Sequence, residues 1–138
     1  MTKPSVLIVE DDVLIALDVQ DALIAAGYEV CGIAESQAVA LALAEAKRPD
    51  LAVVDISLGP GDGRVVAREL FTRHHTEVLF ATGQCNEVRG LARTGAVACL
   101  PKPYEADDVP HALQAVSKIT AGRPTGFLPG HMFALDAA

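Results

Sequence analysis

The segment Leu51-Ala52-Val53-Val54-Asp55 is an unbroken apolar run that ends on a carboxylate. Such a run, without polar alternation, is typical of a strand covered on both faces, as strands of parallel sheets are. The Gly-rich segment 59–63 that follows favours a loop. We therefore predict a buried strand over 51–54 whose carboxyl end presents Asp55.

Two similar units precede this strand. Strand-like runs over 5–9 and 28–34 are each followed by apolar residues at helical spacing. Gly27 is a plausible stop for the first helix, and Ser36 is a candidate N-cap for the second. The predicted apolar faces consist of Ile15, Val19, Ala22, Leu23 and Ala26 in the first helix and Val39, Ala42, Leu43 and Ala46 in the second.

The pattern continues to residue 120. We predict helices over 64–74, 87–94 and 106–120 and strands over 77–81 and 97–100. Five alternating strand–helix units indicate an α/β fold with a parallel sheet and right-handed crossovers. Residues 122–138 show no clear period, so the tail is expected to be disordered, to pack back, or to contact a partner.

Composition narrows the class of protein. The length of 138 residues fits one domain, and the net charge of -7 argues against nucleic acid as a partner. No apolar run approaches the roughly 20 residues of a membrane span, and the N-terminus leaves no room for a signal peptide. Three cysteines without a CxxC pair read as reduced thiols of a cytoplasmic protein.

Polar residues with related chemistry close four of the predicted strands. They are Glu10-Asp11-Asp12, Asp55, Thr82 and Lys102. Converging carboxylates repel one another unless a cation lies between them, and a hard ion such as Mg²⁺ prefers these ligands. Taken singly, the carboxylates could be helix caps or turn residues and the lysine could be solvated. Together they suit phosphoryl transfer to a carboxylate, with lysine and hydroxyl as phosphate ligands.

These motifs make the sequence similar to the receiver domain of two-component response regulators. The resemblance rests on the apolar run that ends in Glu10-Asp11-Asp12, on Val53-Val54-Asp55, Asp62-Gly63 and Ala81-Thr82-Gly83, and on Leu100-Pro101-Lys102-Pro103-Tyr104. It implies a flavodoxin-like doubly wound fold, with a five-stranded parallel sheet of order 2-1-3-4-5. It also implies a receiver domain over 1–121, followed by the tail 122–138 and no output domain.

The resemblance assigns roles to individual residues. Asp55 would be the phosphoacceptor, Thr82 the switch hydroxyl and Lys102 the phosphate-binding lysine. Mg²⁺, or Mn²⁺, would be held by the acidic pair Glu10 and Asp11, by Asp55 and by the backbone carbonyl of Ser57. Asp12 would begin the following helix.

The sequence departs from the family pattern at two places. Gly59 stands where most receivers have proline, and Cys99 stands where an aromatic residue usually lies three positions before the lysine. Phe80-Ala81-Thr82-Gly83 resembles the alphaproteobacterial FATGUY subgroup, which also lacks that aromatic, but Gln84 and Cys85 depart from its motif. We interpret Cys85 and Cys99 as buried structural thiols rather than redox sensors.

The resemblance implies a single-domain phosphorelay protein rather than an enzyme. A histidine kinase or histidine phosphotransfer protein would donate the phosphoryl group, a protein effector would read it, and a homodimer is left open. A phosphate sink or relay intermediate uses the same chemistry, and a receiver that signals without phosphate is a minor alternative. An aspartate-nucleophile phosphohydrolase would need a second Asp where Ser57 stands.

Overall fold

Five β–α units follow one another along the chain in the computed structural model, which describes residues 3–138. The strands are β1 (Ser5–Val9), β2 (Glu29–Ala34), β3 (Leu51–Val54), β4 (Ser57–Leu58), β5 (Gly61–Asp62), β6 (Glu77–Thr82), β7 (Ala98–Pro101) and β8 (Phe133–Ala134). The helices are α1 (Val13–Ala25), α2 (Gln37–Lys47), α3 (Gly63–His74), α4 (Cys85–Val88) and α5 (Asp108–Thr120). Among the described residues, no helix is long and apolar enough to cross a membrane.

The main sheet has the order β2-β1-β3-β6-β7-β8. Its first five strands pair in parallel, which confirms the predicted order 2-1-3-4-5. The sixth strand, β8, was not predicted: it comes from the tail and pairs antiparallel with β7, so that Cys99 lies opposite Phe133. The amide of Leu135 donates to the carbonyl of Val97 at 2.8 Å. The tail therefore packs back onto the sheet edge.

Alternation along the strands divides the core into two layers. Val6, Ile8 and Leu79 face α1 and α5, whereas Leu7 and Phe80 face α2, α3 and α4. Both layers consist of buried apolar side chains, with partly buried apolar residues packed against them. This arrangement explains why the strands read as continuous apolar runs, since each of their faces is covered by helices.

Side-chain caps fix the starts of three helices. Asp12 accepts a hydrogen bond from the amide of Leu14 at 3.1 Å, and Ser36 accepts one from Val39 at 3.2 Å. Asp62 caps α3 by accepting from the amide of Arg64 at 2.8 Å. These contacts satisfy amides that have no partner within the helix, and they confirm the cap roles predicted for Asp12 and Ser36.

Two helix predictions were wrong in detail. The helix predicted over 87–94 covers only Cys85–Val88, because Arg89 adopts an extended backbone with ψ 127° and ends the helix before Gly90, which takes a positive φ of 76°. In α2 the fully buried residues are Ala40 and Ala44, whereas the sequence predicted a buried face of Val39, Ala42, Leu43 and Ala46. Residues 38–44 are all apolar, so the spacing alone did not identify the face that packs on the sheet.

Candidate functional site

Parallel pairing brings the carboxyl ends of β1, β3, β6 and β7 to one edge of the sheet. Val9 pairs with Val54, which pairs with Phe80, and Thr82 pairs with Pro101. The residues that close these strands are therefore neighbours in space although far apart in the sequence. This edge gathers the acidic residues after β1, Asp55, Thr82 and Lys102, as the sequence predicted.

Asp55 lies at the centre of the site and is only 6% exposed. Its Oδ2 accepts a hydrogen bond from Lys102 Nζ at 2.7 Å, and its Oδ1 accepts one from the Thr82 hydroxyl at 2.7 Å. The amide of Ser57 also donates to Oδ1, at 3.3 Å. Both carboxylate oxygens are thus oriented by donors, which holds this side chain in a single arrangement.

Lys102 joins two buried carboxylates. Its Nζ lies 2.8 Å from Glu10 Oε1 as well as 2.7 Å from Asp55 Oδ2. Burial raises the pKa of Glu10, and the nearby Asp55 charge adds to this, although hydrogen bonds from Lys102 and the Asp12 amide oppose it. Burial by itself lowers the pKa of Lys102, but its bonds to Asp55 and Glu10 outweigh burial and raise that pKa overall. The lysine therefore stays positively charged between the two carboxylates.

Three carboxylates at this edge form a cluster suited to a hard cation. Oxygen atoms of Glu10, Asp11 and Asp55 all lie within 4.8 Å of one another. Asp11 is exposed, whereas the other two are buried, so the cluster opens to solvent on the Asp11 side. Oxygen donors at such spacing are the ligands that Mg²⁺ takes in proteins. Ser57 lies two residues after Asp55 and begins β4. The role of the Ser57 backbone carbonyl as a metal ligand stays a prediction.

The Thr82 hydroxyl has two acceptors within reach. It lies 2.7 Å from Asp55 Oδ1 and 2.6 Å from Gln84 Oε1, and it also accepts from the Ile56 amide at 3.4 Å. A hydroxyl carries a single hydrogen, so it does not donate to both oxygens at once. Gln84 is therefore a site neighbour that the sequence analysis did not identify, beyond marking its departure from a motif.

Gly63 explains the Asp62-Gly63 motif in steric terms. A Cβ built at Gly63 would lie 2.7 Å from the carbonyl carbon of Asp55 and 2.7 Å from the Cα of Ile56. The amide of Gly63 donates to the Ile56 carbonyl at 2.8 Å. The start of α3 thus packs directly on the backbone that carries Asp55, and only glycine leaves room for this approach.

The expectation that the cysteines are reduced thiols was wrong for two of the three. Cys85 and Cys99 form a disulfide with a Cα–Cα distance of 5.9 Å, whereas Cys31 is free. Cys85 begins α4 three residues after Thr82, the last residue of β6, and Cys99 lies in the neighbouring strand β7. Strand pairing therefore brings together two cysteines that stand 14 residues apart and share no spacing motif.

Comparisons with known proteins agree with this site. A family model described as the response regulator receiver domain matches residues 6–114. The chemotaxis protein CheY of Bacillus subtilis is 30% identical over 116 residues, which are 82% of this chain and 94% of that protein. The transcriptional regulatory protein PdtaR of Mycobacterium tuberculosis is 36% identical over 116 residues, or 82% of this chain.

The matched region is only part of one of these relatives. The match covers 57% of PdtaR, so this chain spans little more than half the length of that relative. Among solved structures, the signal receiver domain of a modulated diguanylate cyclase from Desulfovibrio desulfuricans G20 superimposes with a TM-score of 0.73 at 30% identity. That match covers 88% of this chain and all of the receiver domain.

Proposed function

The chain belongs to the response regulator receiver domain family, and from this premise we propose that it accepts a phosphoryl group on Asp55 and signals through protein–protein contacts. The observation that carries the proposal is the environment of the Asp55 carboxylate. A lysine ammonium binds one of its oxygens and a threonine hydroxyl binds the other, each at 2.7 Å. These are a cation and a donor suited to phosphoryl oxygens.

The proposed reaction transfers a phosphoryl group from the donor to an oxygen of Asp55. A carboxylate oxygen of Asp55 forms a bond to phosphorus while the bond from phosphorus to the donor breaks, and the product is an acyl phosphate. Lys102 stabilises negative charge on the transferred oxygens, since its raised pKa keeps it protonated throughout the physiological range. The Thr82 hydroxyl donates a hydrogen bond to a phosphoryl oxygen once that oxygen replaces Asp55 Oδ1 as its acceptor.

The acidic cluster fits the divalent metal that receiver domains use. Glu10, Asp11, Asp55 and the carbonyl of Ser57 would hold Mg²⁺ or Mn²⁺. With the carboxylates ionised, the three acidic groups and the Lys102 ammonium carry a net charge of -2, which a divalent ion neutralises. When bound, the metal would offset the charge of the incoming phosphoryl oxygens.

We propose a phosphoacceptor rather than a phosphohydrolase. A hydrolase of the aspartate-nucleophile class needs a general acid two residues after the nucleophile, and that residue is Ser57. Ser57 instead contributes its backbone amide, which donates to Asp55 Oδ1 at 3.3 Å. No proton donor for a leaving alcohol therefore stands at this position.

The N-terminal turns of α1 are suited to a protein donor. Val13 and Leu14 are 62% and 72% exposed, and Leu17 one turn later is also exposed. These apolar side chains follow directly after the acidic residues of the site, so a partner that covers them would bring a phosphohistidine close to Asp55. We propose that the protein acts in the cytoplasm, with a histidine kinase or histidine phosphotransfer protein as the donor and a protein as the effector.

Leu14→Glu tests this donor surface. The variant should accept the phosphoryl group from a phosphohistidine protein several-fold more slowly than the wild type, because the exposed apolar contact is lost. Its labelling by acetyl phosphate should be unchanged, since a small donor needs no docking surface. Equal rates with the protein donor would contradict the assignment of the surface.

Beryllofluoride with Mg²⁺, a mimic of the phosphoryl group, tests the role of Asp55. A ligand at about 100 times its Kd adds about 2.7 kcal/mol to folding stability, which should raise the Tm by on the order of 10 °C. Asp55→Asn should show no such rise. Asp62→Asn is the matched control, because it also replaces a carboxylate near a strand end by an amide, while asparagine still caps α3. Stabilisation of Asp55→Asn, or none for the wild type, would overturn the proposal.

A further inference from the structure

The disulfide joins the two segments that carry the switch residues. Cys85 lies three residues after Thr82, and Cys99 lies three residues before Lys102. These are the two side chains that bind the oxygens of Asp55. The bond therefore fixes the distance between the start of α4 and β7, the two segments that follow Thr82 and precede Lys102.

The start of α4 has no side-chain cap, although Val88 one turn later is buried in the core. This helix has four residues, and Gln84 at its N-cap provides no side-chain hydrogen bond to it. Only Gly83 and Gln84 separate Thr82 from the cross-linked Cys85, so the segment is anchored at both ends. Short helices open at lower free-energy cost than the main core elements, so removal of the cross-link would leave α4 held by the packing of Val88 and Cys85 alone.

We propose that Cys85 and Cys99 are a reversible redox site, whose disulfide locks the segment from Thr82 to α4 and whose dithiol form frees it to respond at Asp55. The inference deepens the proposed function and rests on it. Thr82 must turn its hydroxyl from Asp55 Oδ1 to a phosphoryl oxygen, and Gly83 and Gln84 must accommodate that turn. The oxidised protein resists the movement because Cys85 is bonded to β7.

The redox step balances with common reactants. In oxidation by hydrogen peroxide, the two thiols lose two electrons and two protons to form the S–S bond, and the peroxide becomes two waters. In reduction, a protein dithiol of the thioredoxin class attacks one sulfur, passes through a mixed disulfide and leaves as its own disulfide. Cys85 and Cys99 then each carry a thiol.

The tail controls access to the bond. Cys85 is 3% exposed and Cys99 is fully buried. Phe133 of β8 lies opposite Cys99 and packs against the core cluster that contains both cysteines. The guanidinium of Arg89 lies 3.7 Å from the centre of the Phe133 ring. A reductant therefore reaches the sulfurs only when β8 or α4 moves away. Phe133→Ala should accordingly speed reduction by a dithiol.

The test compares oxidised and reduced wild-type protein for binding of beryllofluoride with Mg²⁺ by calorimetry. Couplings between two sites in one protein typically change affinity by about 5-fold to 150-fold, so we expect at least about fivefold tighter binding to the reduced form. Cys85→Ser should bind like the reduced form under both conditions. Cys31→Ser, which removes the free cysteine, should keep the difference. Equal affinity of the two wild-type forms would overturn the proposal.

A second measurement separates failure of this inference from failure of the proposed function. Hydrogen exchange of the amides of residues 83–92 requires no phosphoryl chemistry and no engineered variant. Exchange should be faster in the reduced wild type than in the oxidised protein. If neither form binds beryllofluoride but the exchange difference is present, the proposed function fails while the lock is supported. If exchange is the same in both forms, or alkylation finds no bond between Cys85 and Cys99, the lock itself is wrong.

Discussion

Replacing Gly63 with alanine should destabilise the protein and displace the backbone of Asp55. The new Cβ would lie 2.7 Å from the carbonyl carbon of Asp55 and 2.7 Å from the Cα of Ile56, closer than unbonded carbon atoms approach. Both contacts are with backbone, which has no rotamer to change. Overpacking of this kind costs about 3 kcal/mol, and the better helix propensity of alanine offsets at most about 1 kcal/mol. We expect a net loss of about 2 kcal/mol.

Urea unfolding measures this loss. With an m-value of about 2 kcal/mol per molar urea, the midpoint of Gly63→Ala should fall by about 1 M. Gly83→Ala is the control, since a Cβ at that position meets nothing within 4 Å. Labelling by acetyl phosphate should also slow in Gly63→Ala, because the shift moves the carboxylate away from Lys102 and Thr82. An unchanged midpoint would refute the claim that Gly63 is required by the Asp55 backbone.

Three further predictions concern other contacts. Asp12→Ala removes the N-cap of α1 and should cost about 1 kcal/mol in urea unfolding, whereas Asp18→Ala, in the exposed middle of the same helix, should cost none; equal losses would contradict the cap. Lys102→Met removes the cation between two carboxylates, so calorimetry should show Mg²⁺ binding about tenfold tighter or more, and weaker binding would contradict this charge balance. Arg89→Ala removes the contact with the Phe133 ring, worth about 0.5–1 kcal/mol, and should speed hydrogen exchange in β8 about twofold to fivefold; unchanged exchange would show that the contact adds nothing.

The sheet and the site could be predicted because both follow from the strands. The apolar run ending at Asp55 marked a strand buried on both faces, and the carboxyl ends of parallel strands share one edge. The residues that lie next to one another at that edge can therefore be predicted from the sequence alone. The helper residues Thr82 and Lys102 were found in this way, and the structure brings both within 2.7 Å of Asp55.

Features that depend on tertiary packing could not be predicted from local sequence patterns. The strand β8 has two residues, too few for alternation to indicate a strand, and only its pairing with β7 defines it. The Cys85–Cys99 bond likewise follows from the adjacency of α4 and β7 rather than from cysteine spacing. The face of α2 was mistaken because an all-apolar segment has no preferred side until the sheet is in place.

Mapping the phosphorylated residue tests whether Asp55 is the phosphoacceptor. Wild-type protein is incubated with acetyl phosphate and Mg²⁺, trapped with borohydride, digested and sequenced by mass spectrometry. We predict one modified position, Asp55, and no modification in Asp55→Asn or without Mg²⁺. Modification of another residue, or equal labelling of Asp55→Asn, would contradict the account.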